Sequence, residues 1–139
     1  METILVMLAL SFVCIGMAQM KADRPATYLA NGAIANRFRF VVITGDYTVG
    51  PAGAGVRAFG VNLDTADIAG RGILIAQQGS GVTVKIEAGA AFAAGALLAP
   101  DASARAVAAT ATNPYSARAI QAATAAGDIV ECELEGGTA

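Results

Sequence analysis

The residues of this chain that could do chemistry gather near its end: Asp128, Glu131, Glu133 and Glu135. Paired carboxylates can serve hydrolysis or hold calcium. Here the spacing has a simpler account. Glu131, Glu133 and Glu135 alternate with Val130, Cys132 and Leu134, so a strand would carry its acids on one face and its apolar residues on the other. A solvated strand face explains that spacing in full, and its charge would discourage edge-to-edge pairing. Asp64 and Asp67 fall at the start of a short turn, where carboxylates suit a helix N-terminus. Ser80, Ser103 and Ser116 have neither a histidine nor a nearby lysine to activate them. The glycine-rich run GPAGAG, Gly50 to Gly55, lacks the Lys-Ser/Thr ending of a phosphate-binding loop, and neither it nor Gly70-Arg71-Gly72 satisfies G-x-G-x-x-G. Arg71 and Arg105 flank strands and read as ion-pair partners. No catalytic, cofactor-binding or metal-ligating residue is assigned, and the chain reads as a non-enzymatic protein that needs no cofactor.

Composition narrows the class further. The chain has 139 residues, enough for one domain with a real core and a terminal extension. Charged residues are 14% of the chain, against roughly 25% in ordinary soluble domains, while apolar residues reach 55%. So little charge calls for surface hidden in an oligomer, an assembly or a membrane. A net charge of −2 with no basic cluster argues against nucleic acid as a partner. There is no histidine, the commonest metal ligand and general base. Two cysteines, Cys14 and Cys132, make no disulfide framework and read as buried thiols.

The elements that must position these residues are strands. Val82, Val84 and Ile86 alternate with Thr83, Lys85 and Glu87, the period of a half-buried strand. A small-residue connection follows, with Gly89 and Gly95 as the easiest positions for positive φ, and then a second strand over Ala96 to Ala99. Further strands are expected at Phe38 to Ile43, Tyr47 to Val49, Val56 to Val61, Ile73 to Ile75, Ala104 to Ala108, Tyr115 to Ile120 and Asp128 to Leu134. Asp64 to Gly70 could form one capped helical turn. Ala69-Gly70 before ILIAQ matches Ala126-Gly127 before IVECE. Upstream, Arg57 to Val61 lines up with Ala117 to Ile120 if the first loop is two residues longer. The expected fold is therefore all-β: a small β-barrel or β-sandwich-like domain built from a duplicated strand–short turn–strand unit, with an extended N-terminal arm.

The run from Val82 to Ala106, V-x-V-x-x-E-A-G-A-x-x-A-A-G-x-x-L-x-x-D-x-x-x-R-A, resembles the head decoration (capsid cement) proteins of tailed bacteriophages. Ala125 to Leu134, AAGDIVECEL, and Tyr28 to Ala35 followed by Phe38 to Ile43 extend the resemblance in order over residues 20 to 136. The resemblance implies a structural virion protein on the outer capsid surface, present in the host cytoplasm during assembly. It implies the major capsid protein as partner, a homotrimer as the self-assembled form, and a role in bridging capsid subunits. The division that follows is an apolar leader at 1–19, an extended arm at 20–37 and a β-rich decoration domain at 38–139. The arm is the expected capsid contact, through Tyr28, Asn31 and Arg37, because free segments can order on binding.

The leader carries a competing reading. Residues 3 to 20 are uncharged and close to the length of a spanning helix, ~17–25 residues. They could be a secretory signal, a membrane anchor or an extension that the β-domain does not need. The family pattern begins just after Met20, which favours the extension. The alternative is a small membrane-anchored or exported β-domain with a binding role, and a membrane partner enters only if the leader is functional. The acidic strand gives a first test: added calcium should leave the melting temperature unchanged. A calcium-induced rise that vanished in Glu131→Gln/Glu133→Gln protein would overturn the solvated-face reading.

Overall fold

The computed structural model describes residues 25–79, 82–110 and 113–138. The leader (1–19), the start of the arm (20–24), Cys14 and Ser80 lie outside the described residues. Among those described there is no helix, and the strands are β1 (Ala26–Ala30), β2 (Phe40–Gly45), β3 (Thr48–Pro51), β4 (Gly60–Asn62), β5 (Gly72–Gln77), β6 (Thr83–Glu87), β7 (Leu97–Pro100), β8 (Ala106–Ala108), β9 (Pro114–Ala119) and β10 (Ile129–Thr138). The first five close into a barrel in the order β1-β3-β2-β4-β5, because β1 pairs antiparallel with β5 and parallel with β3. The last five form a sheet in the order β6-β10-β9-β7-β8.

The two halves share one wiring diagram, register included. Phe40↔Val61 recurs as Leu97↔Arg118, and Asn62↔Ile75 as Ala119↔Cys132. Leu29↔Gly72 recurs as Glu87↔Ile129, and Ile43↔Val49 as Pro100↔Ala106. Even the isolated bridge Ile34↔Ala66 returns as Phe92↔Ala123. The duplication thus extends over the whole five-stranded unit. Its upstream alignment differs from the expected one: Gly60 pairs with Gln77 as Ala117 pairs with Leu134, so the loop between the paired strands has the same length in both copies.

One difference separates the copies. In the first, Leu29 N–H donates to the Tyr47 carbonyl at 2.7 Å and the β1–β3 wall closes. In the second, β6 and β8 leave a gap beyond the single parallel bridge Ala88↔Ala106. Residues Phe38 to Phe40 of the first copy fill it. Glu87 N–H donates to the Phe38 carbonyl at 2.8 Å, and Phe40 N–H donates to the Ala104 carbonyl at 2.9 Å. Phe38 holds a left-handed backbone, φ 61°, where the second copy has Gly95 at φ 89°. A bulky residue tolerates that strain only when its surroundings fix it. Here both its backbone groups are engaged, its N–H by Asn62 and its carbonyl by Glu87.

Two apolar clusters follow from this arrangement. The first barrel is filled by Ala30, Ile34, Val41, Val49, Ala66, Ile73 and Ile75. The second cluster holds the equivalent set, Ala88, Phe92, Leu98, Ala106, Ala123, Val130 and Cys132, and continues across the seam to Phe40, Ala52, Ala58, Val61 and Ala76 of the first copy. Alternation decides which side chains enter: Val130, Cys132 and Leu134 point inward, as the sequence predicts.

Three local expectations change. The segment from Ala26 to Ala30 is extended, but it is a wall strand of the closed barrel, with Ala30 and Ile34 buried in its core, and not a free arm. Its backbone donors and acceptors need partners, and β5 and β3 supply them. The turn at 64–70 is not helical, because Ala66 exchanges both backbone hydrogen bonds with Ile34. Gly95 takes the expected positive φ, whereas Gly89 is needed for space: a Cβ there would meet Asp101 Oδ2 at 2.2 Å.

Glycine substitutions test the register. At Gly60 a Cβ would lie 2.2 Å from the Ala76 carbonyl oxygen, a backbone atom that cannot step aside without breaking the β4–β5 pairing. Gly60→Ala should lower unfolding stability by ~1–3 kcal/mol in denaturant titrations. Gly32→Ala, with nothing within 4 Å, should change it by less than ~0.5 kcal/mol. Equal effects would place β4 in a different register.

Candidate interaction surface

The seam between the copies contains the main charged network. Arg39, next to the inserted Phe38 and Phe40 backbone, places Nη2 3.1 Å and Nε 3.3 Å from Glu87 Oε1. Its Nη1 donates to the Ser103 carbonyl at 3.3 Å. Arg105 Nη1 approaches the other Glu87 oxygen at 3.7 Å. The Asp101 carboxylate accepts backbone N–H groups from Ser103 and Arg105 at 2.8 and 2.9 Å, which fixes the β7–β8 hairpin. These side chains are only 18–28% exposed, so the network is shielded more than a surface pair. Arg105 therefore ends in ion pairs, as the sequence suggests, and Arg71 does the same with Asp67 at 3.1 Å.

Beside this network lies a cavity of about 210 Å³, lined by Ala33 to Asn36, Arg39, Asn62, Ser103 and neighbouring apolar residues. Its polar lining is committed to the fold. Asn62 is fully buried, accepts the Arg39 N–H at 2.9 Å and donates to the Asn36 and Asp64 carbonyls at 2.7 and 2.8 Å. Ser116, also buried, accepts the Ala58 N–H at 2.8 Å across the seam. Burial pushes the Cys132 thiol up to about 12, so it stays protonated at neutral pH. Among the described residues, no three of His, Cys, Asp or Glu are grouped to hold a metal ion. The terminal acids are distributed as the alternation requires. Glu131 is exposed and pairs across the ladder with Lys85, and Glu135 accepts Arg118 Nε at 2.7 Å, which raises the Arg118 pKa. Asp128 belongs to a tight turn, where the Thr124 N–H and hydroxyl, then the Ala125 N–H, lower its pKa.

The three residues expected to touch a partner lie on the stretch from β1 to the start of β2. Tyr28 is half-buried, its ring edge-on to Phe59 with centroids 5.3 Å apart at 80°. Asn31 and Arg37 are exposed, and the Asn31 amide covers Gly50 closely. Sequence reasoning missed a different group. Leu29, Ile43 and Tyr47 of the first barrel are 43%, 47% and 78% exposed. Ile43 ends an expected strand and reads as core, so it gives no warning, whereas Leu29 falls in the expected arm. Tyr47 does give warning, because it directly follows the Gly45-Asp46 turn. An open groove of about 530 Å³, lined by Val42, Ile43, Val56, Arg57, Ala58, Phe59 and Gln78, lies on the same barrel.

No protein-family model and no curated protein matches the chain. Among solved structures, the fold is similar to the crystal structure of the head fiber gp8.5 N base in bacteriophage phi29, with a TM-score of 0.64 and 16% sequence identity. The match covers 80% of this chain and 92% of that one, so it takes in nearly the whole of the neighbour's fold.

Proposed function

We propose that this chain is a structural protein of a bacteriophage virion, of the head decoration or cement type. It sits on the outer surface of the capsid, binds the major capsid protein as a homotrimer and bridges neighbouring subunits. The observation that carries the reading is the shared fold with the base of a phage head fiber, found over 80% of this chain. The sequence resemblance to decoration proteins supports it from an independent direction. The surface suits the task. A low-charge exterior gives weak individual contacts, and linking such contacts on a lattice raises affinity by ~10²–10⁴.

Asn31 and Arg37 are the residues proposed to contact the capsid, since both project from the loop that leads into β2. Tyr28, the third residue proposed for the contact, is half-buried with its ring edge-on to Phe59. Removing the whole stretch is a poor test, because β1 is part of the barrel wall. Co-sedimentation with emptied, expanded capsids of the cognate phage is a better one. The intact protein should pellet with capsids and not with free capsid subunits. Asn31→Ala/Arg37→Ala should weaken binding by about tenfold or more while circular dichroism stays unchanged. Full binding by the double variant would remove these residues from the contact. Failure of the intact protein to bind capsids, with recovery in the membrane fraction instead, would overturn the decoration reading.

A further inference from the structure

The internal duplication maps the first barrel onto the second sheet, and so maps the seam onto two further surfaces, one around Leu29 and one around Gly95, where Arg118 Nη1 reaches the Gly95 carbonyl at 3.4 Å. On the second copy, the seam uses Glu87, Pro100 and Ala104. Glu87 N–H donates to Phe38, the Pro100 carbonyl accepts Gly55 N–H, and the Ala104 carbonyl accepts Phe40 N–H. Register places Leu29 at the position of Glu87 and Ile43 at that of Pro100. Tyr47 matches Ala104, both at positive φ in the hairpin, 51° and 66°. These three counterparts are among the exposed apolar residues of the first copy, which also include Val56, Ile68 and Leu74.

The covering side maps equally well. Phe38 N–H bonds to Asn62 as Gly95 N–H bonds to Ala119, and Phe40↔Val61 matches Leu97↔Arg118. Arg39 therefore corresponds to Ala96. Leu63, packed against the seam cluster, corresponds to Ile120, since each donates its N–H to the matching β5 or β10 residue, Leu74 or Glu131. Ile120 is 49% exposed. We infer that copies of this chain associate head to tail, with the Gly95–Leu97 and Ile120 face of one copy covering Leu29, Ile43 and Tyr47 of the next.

One pair of residue changes between the two surfaces is matched, while the buried Val61 and Ala76 of the seam correspond to the charged Arg118 and Glu133. Inside the chain, Arg39 faces Glu87 as an ion pair. At the corresponding positions between chains, Ala96 faces Leu29, apolar against apolar. A change on one side alone would leave an unpaired charge in the contact, whereas both sides have changed together. The first barrel is already closed by the Leu29–Tyr47 hydrogen bond, so no backbone segment enters it. The contact between copies rests on side-chain burial, continuing the internal seam in a new chemistry. Two different faces meet, so the association is heterologous and propagates into a ring where its rotation closes and into an open filament where it does not.

This inference gives surfaces to the self-association in the proposed function, but it does not depend on a capsid. Sedimentation velocity on the full chain tests it. The unmodified protein should associate in the micromolar range. Leu29→Glu and Ala96→Arg should each raise the dissociation constant by about tenfold or more, and the double variant should recover association by rebuilding the internal Glu–Arg pair between chains. Ile68→Lys, at an exposed position outside both mapped faces, should change nothing. If Ala96→Arg disturbs folding by circular dichroism, Tyr47→Asp reports on the same contact from a 78% exposed side chain. A monomeric unmodified protein, association indifferent to Leu29→Glu and Tyr47→Asp, or single-variant losses without rescue would each overturn the inference. Capsid co-sedimentation is read separately: an oligomer that ignores capsids would sink only the decoration reading, and a monomer that binds them would sink only this one.

Discussion

Two backbone hydrogen bonds set the architecture of this protein: Glu87 N–H to the Phe38 carbonyl and Phe40 N–H to the Ala104 carbonyl. A sheet that leaves its ladder open buries unpaired donors and acceptors unless something pairs them. The second copy of the unit is such a sheet, and the first copy completes it. This joins the closed barrel and the second sheet into one body. It puts Phe40 under the seam, fully buried, where its side chain contributes roughly 1.5–3 kcal/mol. It also brings Arg39 to Glu87, and it holds Phe38 in a conformation that its counterpart adopts as glycine.

The network around Glu87 is therefore a consequence of the inserted segment rather than a site with chemistry of its own. Its charges face each other, Asp101 is held by two backbone donors, and Asn62 is committed to the Asn36 and Asp64 carbonyls and the Arg39 N–H. What the molecule leaves available is shape and apolar surface. Tyr47, Ile43 and Leu29 remain exposed on the first barrel.

Much of the fold was legible in the sequence where alternation was strict. Val82 to Glu87 and Val130 to Glu135 fall in strands with the predicted faces, and the Gly70/Gly127 pair marked the duplication, both with positive φ. The upstream alignment slipped because Ala and Gly are too frequent to fix a register, which only the ladder reveals. Ala26 to Ala30 read as an arm since Pro25 and the Asn31-Gly32 turn frame a stretch with no apolar run; only closure of the barrel makes it a strand. The interaction surface was the least legible part. Whether Leu29 or Tyr47 is covered depends on which copy of the duplication it belongs to, and composition carries no such information.

The unequal closure of the two barrels also has a temporal meaning. The ribosome delivers the chain from its N-terminus, and domains tend to form in that order. The half whose wall closes on itself emerges first, with the Phe38–Phe40 segment already positioned beside β2. The half that needs an outside segment emerges second and meets a template in place. In the reverse order, an open sheet would wait with bare edges, the situation that invites mispairing between chains. The sequence of the two copies thus places the dependent barrel where its nascent edges are exposed for the shortest time.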